Sequence, residues 1–189
     1  MVVKRLGVIV ALFWVSGACV LAAGFTIEQA LSAPFPSDLT AAPSGGAVAW
    51  VFNDRGIRNI WIADPPGYRG RKVTAYAEDD GLEITDLSIT PDGKRIVYVR
   101  GSGANRRGEV PNPTSRADGT EQAVFAVPTS GGEPRRLAVG RGVAVAPKGD
   151  QAAYVARVGD KDQVFLIGLE GEAKATQLFK ARGDEGSLS

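Results

Sequence analysis

The chain has 189 residues, with 22 Lys and Arg against 21 Asp and Glu, a net charge of +1 and no histidine. That balance offers no basic surplus for a nucleic acid and no acidic tail. Without histidine, neither a Ser-His-Asp triad nor a His-ligated metal site can be built from this chain. Twenty-four glycines and eleven prolines imply many turns, and so many short strands.

Residues 1–23 have the three-part layout of a secretory signal peptide. Lys4 and Arg5 come first, then an apolar core over 6–15, then small residues over 16–24. Cleavage after Ala22, Ala23 or Gly24 gives a secreted or periplasmic product with no membrane attachment. It also removes Cys19, the only cysteine, so no disulfide framework is possible. The alternative is an uncleaved anchor, because the apolar stretch approaches the ~18 residues that a span needs. Ser16-Gly17-Ala18-Cys19 lacks the leucine of a lipoprotein box.

A short helical lead-in is expected over 24–37. Thr26 and Gln29 have the spacing of a capping box, and Pro34 and Pro36 end the helix.

From residue 38 a single phrase recurs. It reads Pro43-Ser44-Gly45 with Trp50 and Val51, then Pro91-Asp92-Gly93 with Tyr98 and Val99, then Pro147-Lys148-Gly149 with Tyr154 and Val155. Each copy has Gly two after Pro, an aromatic seven after and Val eight after. Pro presets φ at the second turn position and Gly closes the turn; an apolar run then follows, suited to a strand buried on both faces. Units of this kind, repeating at this length, predict an all-β fold of four-stranded antiparallel blades, a partial β-propeller.

Three blades are expected. The first spans about 38–76, with strands at 38–42, 47–52, 58–63 and 71–74. The second spans about 83–139, with strands at 84–90, 95–100, 122–128 and 135–139. The third spans about 142–179, with strands at 143–146, 151–157, 163–168 and 176–179. Gly186-Ser187-Leu188-Ser189 resembles the lead into a further Pro-x-Gly turn, the start of a fourth blade. Rings hold ~4–8 blades, so the stretch reads as an incomplete ring. Three blades alone leave apolar faces bare, and such a chain is expected to aggregate or be degraded.

Few side chains invite chemistry. Gly93-Lys94 is followed by Arg95 and belongs to a turn, not a phosphate loop, and no G-x-S-x-G elbow occurs. The carboxylates of Glu78-Asp79-Asp80 and Asp160-Lys161-Asp162 read as solvated loops rather than a metal site. Trp50, Trp61, Tyr98, Phe125, Tyr154 and Phe165 recur at strand spacing and read as core. The polar segment 101–120, with Arg106, Arg107 and Arg116, reads as disorder or surface decoration. Neither a catalytic group, nor a cofactor, nor a metal is expected.

Several phrases occur in a telling order: Phe25-Thr26-Ile27-Glu28-Gln29, Phe35-Pro36-Ser37-Asp38-Leu39, Arg58-Asn59-Ile60-Trp61, Glu78-Asp79-Asp80-Gly81, Pro91-Asp92-Gly93-Lys94 and Ser130-Gly131-Gly132-Glu133-Pro134-Arg135. Together they resemble the N-terminal propeller of secreted bacterial serine peptidases of the prolyl oligopeptidase family, the dipeptidyl peptidase IV and acylaminoacyl peptidase relatives. The Pro-Asp-Gly strand motif is also shared with TolB-like propellers. The resemblance implies a non-catalytic propeller that gates peptide access to an α/β-hydrolase domain, which carries the Ser, Asp and His and is missing here. No residue of that triad, and no propeller glutamate pair, maps onto this chain. The alternative is a periplasmic TolB-like module that binds a protein partner.

Overall fold

The structure, a computed structural model, describes residues 26–178. The expected signal peptide and the start of a fourth blade lie outside the described residues. The chain divides into two units, 1–31 and 32–189.

Within the first unit, α1 (Ile27–Leu31) is one short helix. Thr26 and Gln29 cap it reciprocally: the Gln29 N–H donates to Thr26 Oγ1 and the Thr26 N–H to Gln29 Oε1, both at 3.1 Å. Two orphan amides of the first turn are satisfied in this way. Among the described residues, no helix is long and apolar enough to cross a membrane.

The described residues of the second unit form three four-stranded antiparallel sheets, in each of which strands consecutive in the chain are neighbours. Blade 1 holds β1 (Phe35–Ala41), β2 (Val48–Asp54), β3 (Ile57–Ala63) and β4 (Arg71–Lys72). Blade 2 holds β5 (Ile84–Ile89), β6 (Arg95–Arg100), β7 (Ala123–Pro128) and β8 (Arg135–Val139). Blade 3 holds β9 (Arg141–Val145), β10 (Gln151–Val158), β11 (Lys161–Gly168) and β12 (Ala175–Gln177).

Two boundaries differ instructively from expectation. β1 opens at Phe35, inside the segment read as lead-in, with Pro36 opposite Phe52. Pro is compatible with the start of an edge strand, where a missing N–H breaks no ladder. β4 has only two residues because side chains take over the pairing. Thr74 Oγ1 accepts the Ile60 N–H at 2.9 Å and donates to Asn59 Oδ1 at 2.9 Å.

The three Pro-x-Gly turns join the first and second strands of each blade. Gly45, Gly93 and Gly149 have φ of 76°, 69° and 75°, the left-handed region that glycine enters freely. In the second and third turns, the Gly93 and Gly149 N–H groups donate to Thr90 O and Ala146 O at 2.8 Å. The turns also touch one another. Ser44 Oγ donates to Pro91 O at 2.6 Å, and a Cβ on Gly149 would lie 3.1 Å from the Pro91 ring.

Strand alternation gives each blade two unlike faces. One face carries cross-strand aromatic pairs: Trp50 opposite Trp61, Tyr98 opposite Phe125, Tyr154 opposite Phe165. The other carries an aliphatic pair: Val51 opposite Ile60, Val99 opposite Val124, Val155 opposite Val164. Stacking is always aliphatic on aromatic. Ala49, Val51, Ile60 and Ile62 of blade 1 pack on Ile96, Tyr98 and Val127 of blade 2. Val97, Val99, Val124 and Ala126 of blade 2 pack on Ala152, Tyr154 and Ile167 of blade 3.

Candidate functional site

A cavity of about 350 Å³ opens on the aromatic face of blade 2. Parity builds its floor. Arg100 stands two residues beyond Tyr98, and Phe125 stands opposite Tyr98 and pairs with Arg136 on β8, so all four project to one side. The far end of the long loop supplies the roof with Arg116, Asp118 and Glu121.

That loop is exposed over most of its length but not structureless. Asn105 Oδ1 accepts the Arg107 and Glu109 N–H groups at 2.8 and 3.1 Å; Asn112 Oδ1 accepts the Arg116 N–H at 2.9 Å. These Asx-type bonds fold it into two turns. Its ends are fixed at Gly101, φ 123°, where a Cβ would lie 2.3 Å from Glu121 O.

Each arginine at the cavity meets a carboxylate. Arg100 pairs with Asp80, Arg136 with Glu121, and Arg116 with Asp118 at 3.3 Å. The Arg116 guanidinium holds the Asp118 carboxyl below the usual carboxylate range. Arg100 also lies over the Tyr76 ring, 4.0 Å from its centroid, and its Nε is buried with no hydrogen-bond partner among the described residues. Tyr76 Oη and Tyr98 Oη are 2.7 Å apart. Burial pushes both phenols up, Tyr98 most strongly, so both stay protonated and the pair serves as a fixed hydrogen bond. The cavity therefore offers a balanced set of donors and acceptors beside one aromatic wall. That arrangement can hold a polar ligand; it does not set up a nucleophile against a base.

The motif residues do not converge. Pro43 and Gly45, Pro91, Asp92 and Gly93, and Pro147 and Gly149 stay in their three turns, while Trp50, Tyr98 and Tyr154 lie on β2, β6 and β10. Asp92 Oδ1 accepts from Thr90 Oγ1 at 2.6 Å and from the Lys94 N–H at 3.1 Å, a turn-stabilising role. The two carboxylate runs are partly solvated: Glu78, Asp79 and Asp160 are exposed, Asp80 and Asp162 half-buried. Asp80 is tied to Arg100, and Asp162 meets Arg141 at 2.6 Å and Arg157 at 3.4 Å. Their partial burial follows from the arginines that reach them, which the local sequence does not reveal. Among the described residues, no group of three His, Cys, Asp or Glu is arranged to hold a metal.

Stacked four-stranded antiparallel blades define the architecture as that of a β-propeller. Solved structures agree on the fold. Acylaminoacyl peptidase from Pyrococcus horikoshii matches with a TM-score of 0.53 and 17% identity, over 77% of this chain and 25% of that one. The β-propeller domain of the Trilobed protease from Pyrococcus furiosus matches with a TM-score of 0.50 and 15% identity, over 79% of this chain and 44% of that one. TolB from Acinetobacter baumannii matches with a TM-score of 0.49 and 18% identity, over 79% of this chain and 33% of that one. The chain thus spans a quarter to under half of these three solved chains. No protein-family profile matches it, and no curated protein does.

Proposed function

We propose that this chain supplies non-catalytic propeller blades of a secreted serine peptidase of the prolyl oligopeptidase type, and that the completed ring admits peptides to an α/β-hydrolase domain while excluding folded proteins. The observation that carries this is the face pattern. Blade 1 presents the aromatic set Trp50, Phe52 and Trp61, and blade 3 the aliphatic set Ala153, Val155, Val164 and Leu166; neither belongs to the two inter-blade cores. They are the open halves of two more interfaces of the same kind, as a ring of further blades requires. The likeness to the acylaminoacyl peptidase and Trilobed protease structures supports the peptidase setting. Secretion through residues 1–23 belongs to the same proposal, as does a triad carried outside these 189 residues.

The test is the reading frame of the transcript together with an assay. A frame that runs through further Pro-x-Gly repeats into G-x-S-x-G, then Asp, then His, is expected. The chain itself, offered short peptides, is expected to hydrolyse none above buffer. Further repeats followed by a stop would favour the TolB-like protein-binding module instead. Turnover by the chain alone would overturn both readings.

A further inference from the structure

The long connection of blade 2, between β6 and β7, has two halves of unlike attachment. The second half is tied to the body of the blade. A Cβ on Gly81 would lie 2.5 Å from the Pro113 ring, Glu121 pairs with Arg136 on β8, and Asn112, Gly119 and Thr120 are half-buried. The first half is a turn bonded to itself. The Asn105 N–H donates to Glu109 O and the Gly108 N–H to Asn105 O, each at 2.9 Å; Asn105 Nδ2 donates to Glu109 Oε2 at 2.7 Å. Residues 103–111 are exposed without a break. Arg106 and Arg107 stand inside that turn, and neither guanidinium meets a carboxylate among the described residues.

An endoprotease takes its substrate as an extended strand, so a bond is cut where the backbone can leave its turn or ladder. Exposed loop tips are where that costs least. The other connections that carry Lys or Arg are short, at 55–56, 64–70, 90–94, 146–150 and 169–174, and strands hold both ends of each. The long loop also supplies its own control. Arg116 is exposed but lies in the anchored half, its N–H bonded to Asn112 Oδ1 at 2.9 Å and its guanidinium paired with Asp118. Arg107-Gly108-Glu109 and Arg116-Ala117-Asp118 place an acid at the same spacing after the arginine. Attachment, not local sequence, separates the two bonds.

We propose that Arg106-Arg107 is a cleavage site for an endoprotease of trypsin-type specificity, cut at the Arg107–Gly108 bond, and that the cut leaves blade 2 assembled from two chains. The step is a single hydrolysis. Water gives its hydroxyl to the Arg107 carbonyl carbon and a proton to the new Gly108 amine as the C–N bond breaks. The arginine before the bond enters a pocket that ends in a carboxylate, where a guanidinium is held by charge-assisted hydrogen bonds. Behind the cut the sheet holds. β6 and β7 pair from Arg95↔Pro128 to Arg100↔Ala123, and Val97, Val99, Val124 and Ala126 lie in the core shared with blade 3. The roof of the cavity stays as well, because Arg116, Asp118 and Glu121 belong to the anchored half. None of this depends on the peptidase reading.

Limited digestion of the full native chain tests it, with trypsin as the probe and mass spectrometry reading the new termini within 26–178. The terminus at Gly108 is expected to appear about tenfold sooner than that at Ala117, the factor that one or two more anchoring contacts represent. In the chain unfolded by urea the two should appear together. Fragments 1–107 and 108–189 should elute as one species on size exclusion in native buffer and separate in denaturant. Arg106→Gln combined with Arg107→Gln should abolish the early cut; both side chains are exposed and unpaired, so the urea midpoint should stay that of wild type. A first cut anywhere else in 26–178, a tenfold gap that persists in urea, an early cut that survives the double substitution, or fragments that part in native buffer would overturn the proposal. The order of cuts in wild type decides the matter even if the double variant does not fold.

Discussion

The two inter-blade junctions share an apolar plan and differ in every polar detail. In each, an aliphatic strand pair faces an aromatic pair stacked 5.6 or 5.7 Å apart, Tyr98 on Phe125 and Tyr154 on Phe165. The first junction then buries a phenol pair, Tyr76 with Tyr98, beneath the Arg100 guanidinium. The second instead uses arginines at its rim: Arg135 donates to Leu169 O at 2.6 Å and to Gly171 O at 2.9 Å, and Arg95 pairs with Glu170 at 2.9 Å. The repeat motif specifies the packing. The polar links belong to each blade's own loops, and they give the junctions different sensitivities.

The largest break expected is Tyr98→Ala. The side chain is fully buried, and its removal leaves a cavity, a lost ring stack and an unpaired Tyr76 hydroxyl. Truncations of large buried aromatics cost about 3–5 kcal/mol, to be read as a lower urea midpoint. Tyr154→Ala should cost less, because the Tyr154 hydroxyl has no partner among the described residues and the ring retains some exposure, 4%. Equal losses at the two sites would show that the phenol pair contributes nothing.

Next comes Asn59→Ala, which acts on the first junction from behind. Asn59 is buried; its amide donates to Tyr76 O at 2.9 Å, and its carbonyl accepts from the Tyr76 N–H at 2.8 Å and from Thr74 Oγ1. Losing these buried bonds should cost about 2–3 kcal/mol, at ~1 kcal/mol each. It should also free Tyr76, so the absorbance change of tyrosine ionisation should begin at lower pH than in wild type. A stability loss with an unmoved tyrosine titration would place Asn59 outside the phenol network.

A finer cut is Tyr98→Phe against Tyr154→Phe. The first keeps the ring and leaves the Tyr76 hydroxyl unpaired, about 1–3 kcal/mol. The second should be near neutral. Together they separate what the motif aromatic contributes by packing from what its hydroxyl adds in one blade only.

These contrasts also show where the sequence could be read and where it could not. The Pro-x-Gly turns, the strand that follows each and the aromatic seven residues on are local, so propensity and turn chemistry place them within a residue or two. The positive-φ residues of the first strands, Asp38, Asp86 and Gly142, are equally periodic, at five residues before each Pro. They are missed when the repeat is followed only forward from the turn, and because the third copy holds Gly where the first two hold Asp. Arg100 and Arg136 look like strand-end surface charge. Only the pairing of β7 with β8 and the return of the long loop turn them into cavity walls. Parity did carry a hint: Arg100 must share a face with Ile96 and Tyr98.

The smallest effect expected is electrostatic. Arg141 first, then Arg157, hold the Asp162 carboxyl below the usual carboxylate range. Both arginines are about half exposed, at 45% and 56%, so the ion pairs are screened and contribute at most ~1 kcal/mol. A carboxyl depressed in the folded state stabilises above its unfolded value, near 3.9, and that contribution fades as pH falls through the folded value. Asp162→Asn should therefore lower the urea midpoint slightly at pH 7, and the gap to wild type should close on acidification. A midpoint unchanged at pH 7, or a gap that widens in acid, would show that the two arginines do not stabilise the Asp162 carboxylate.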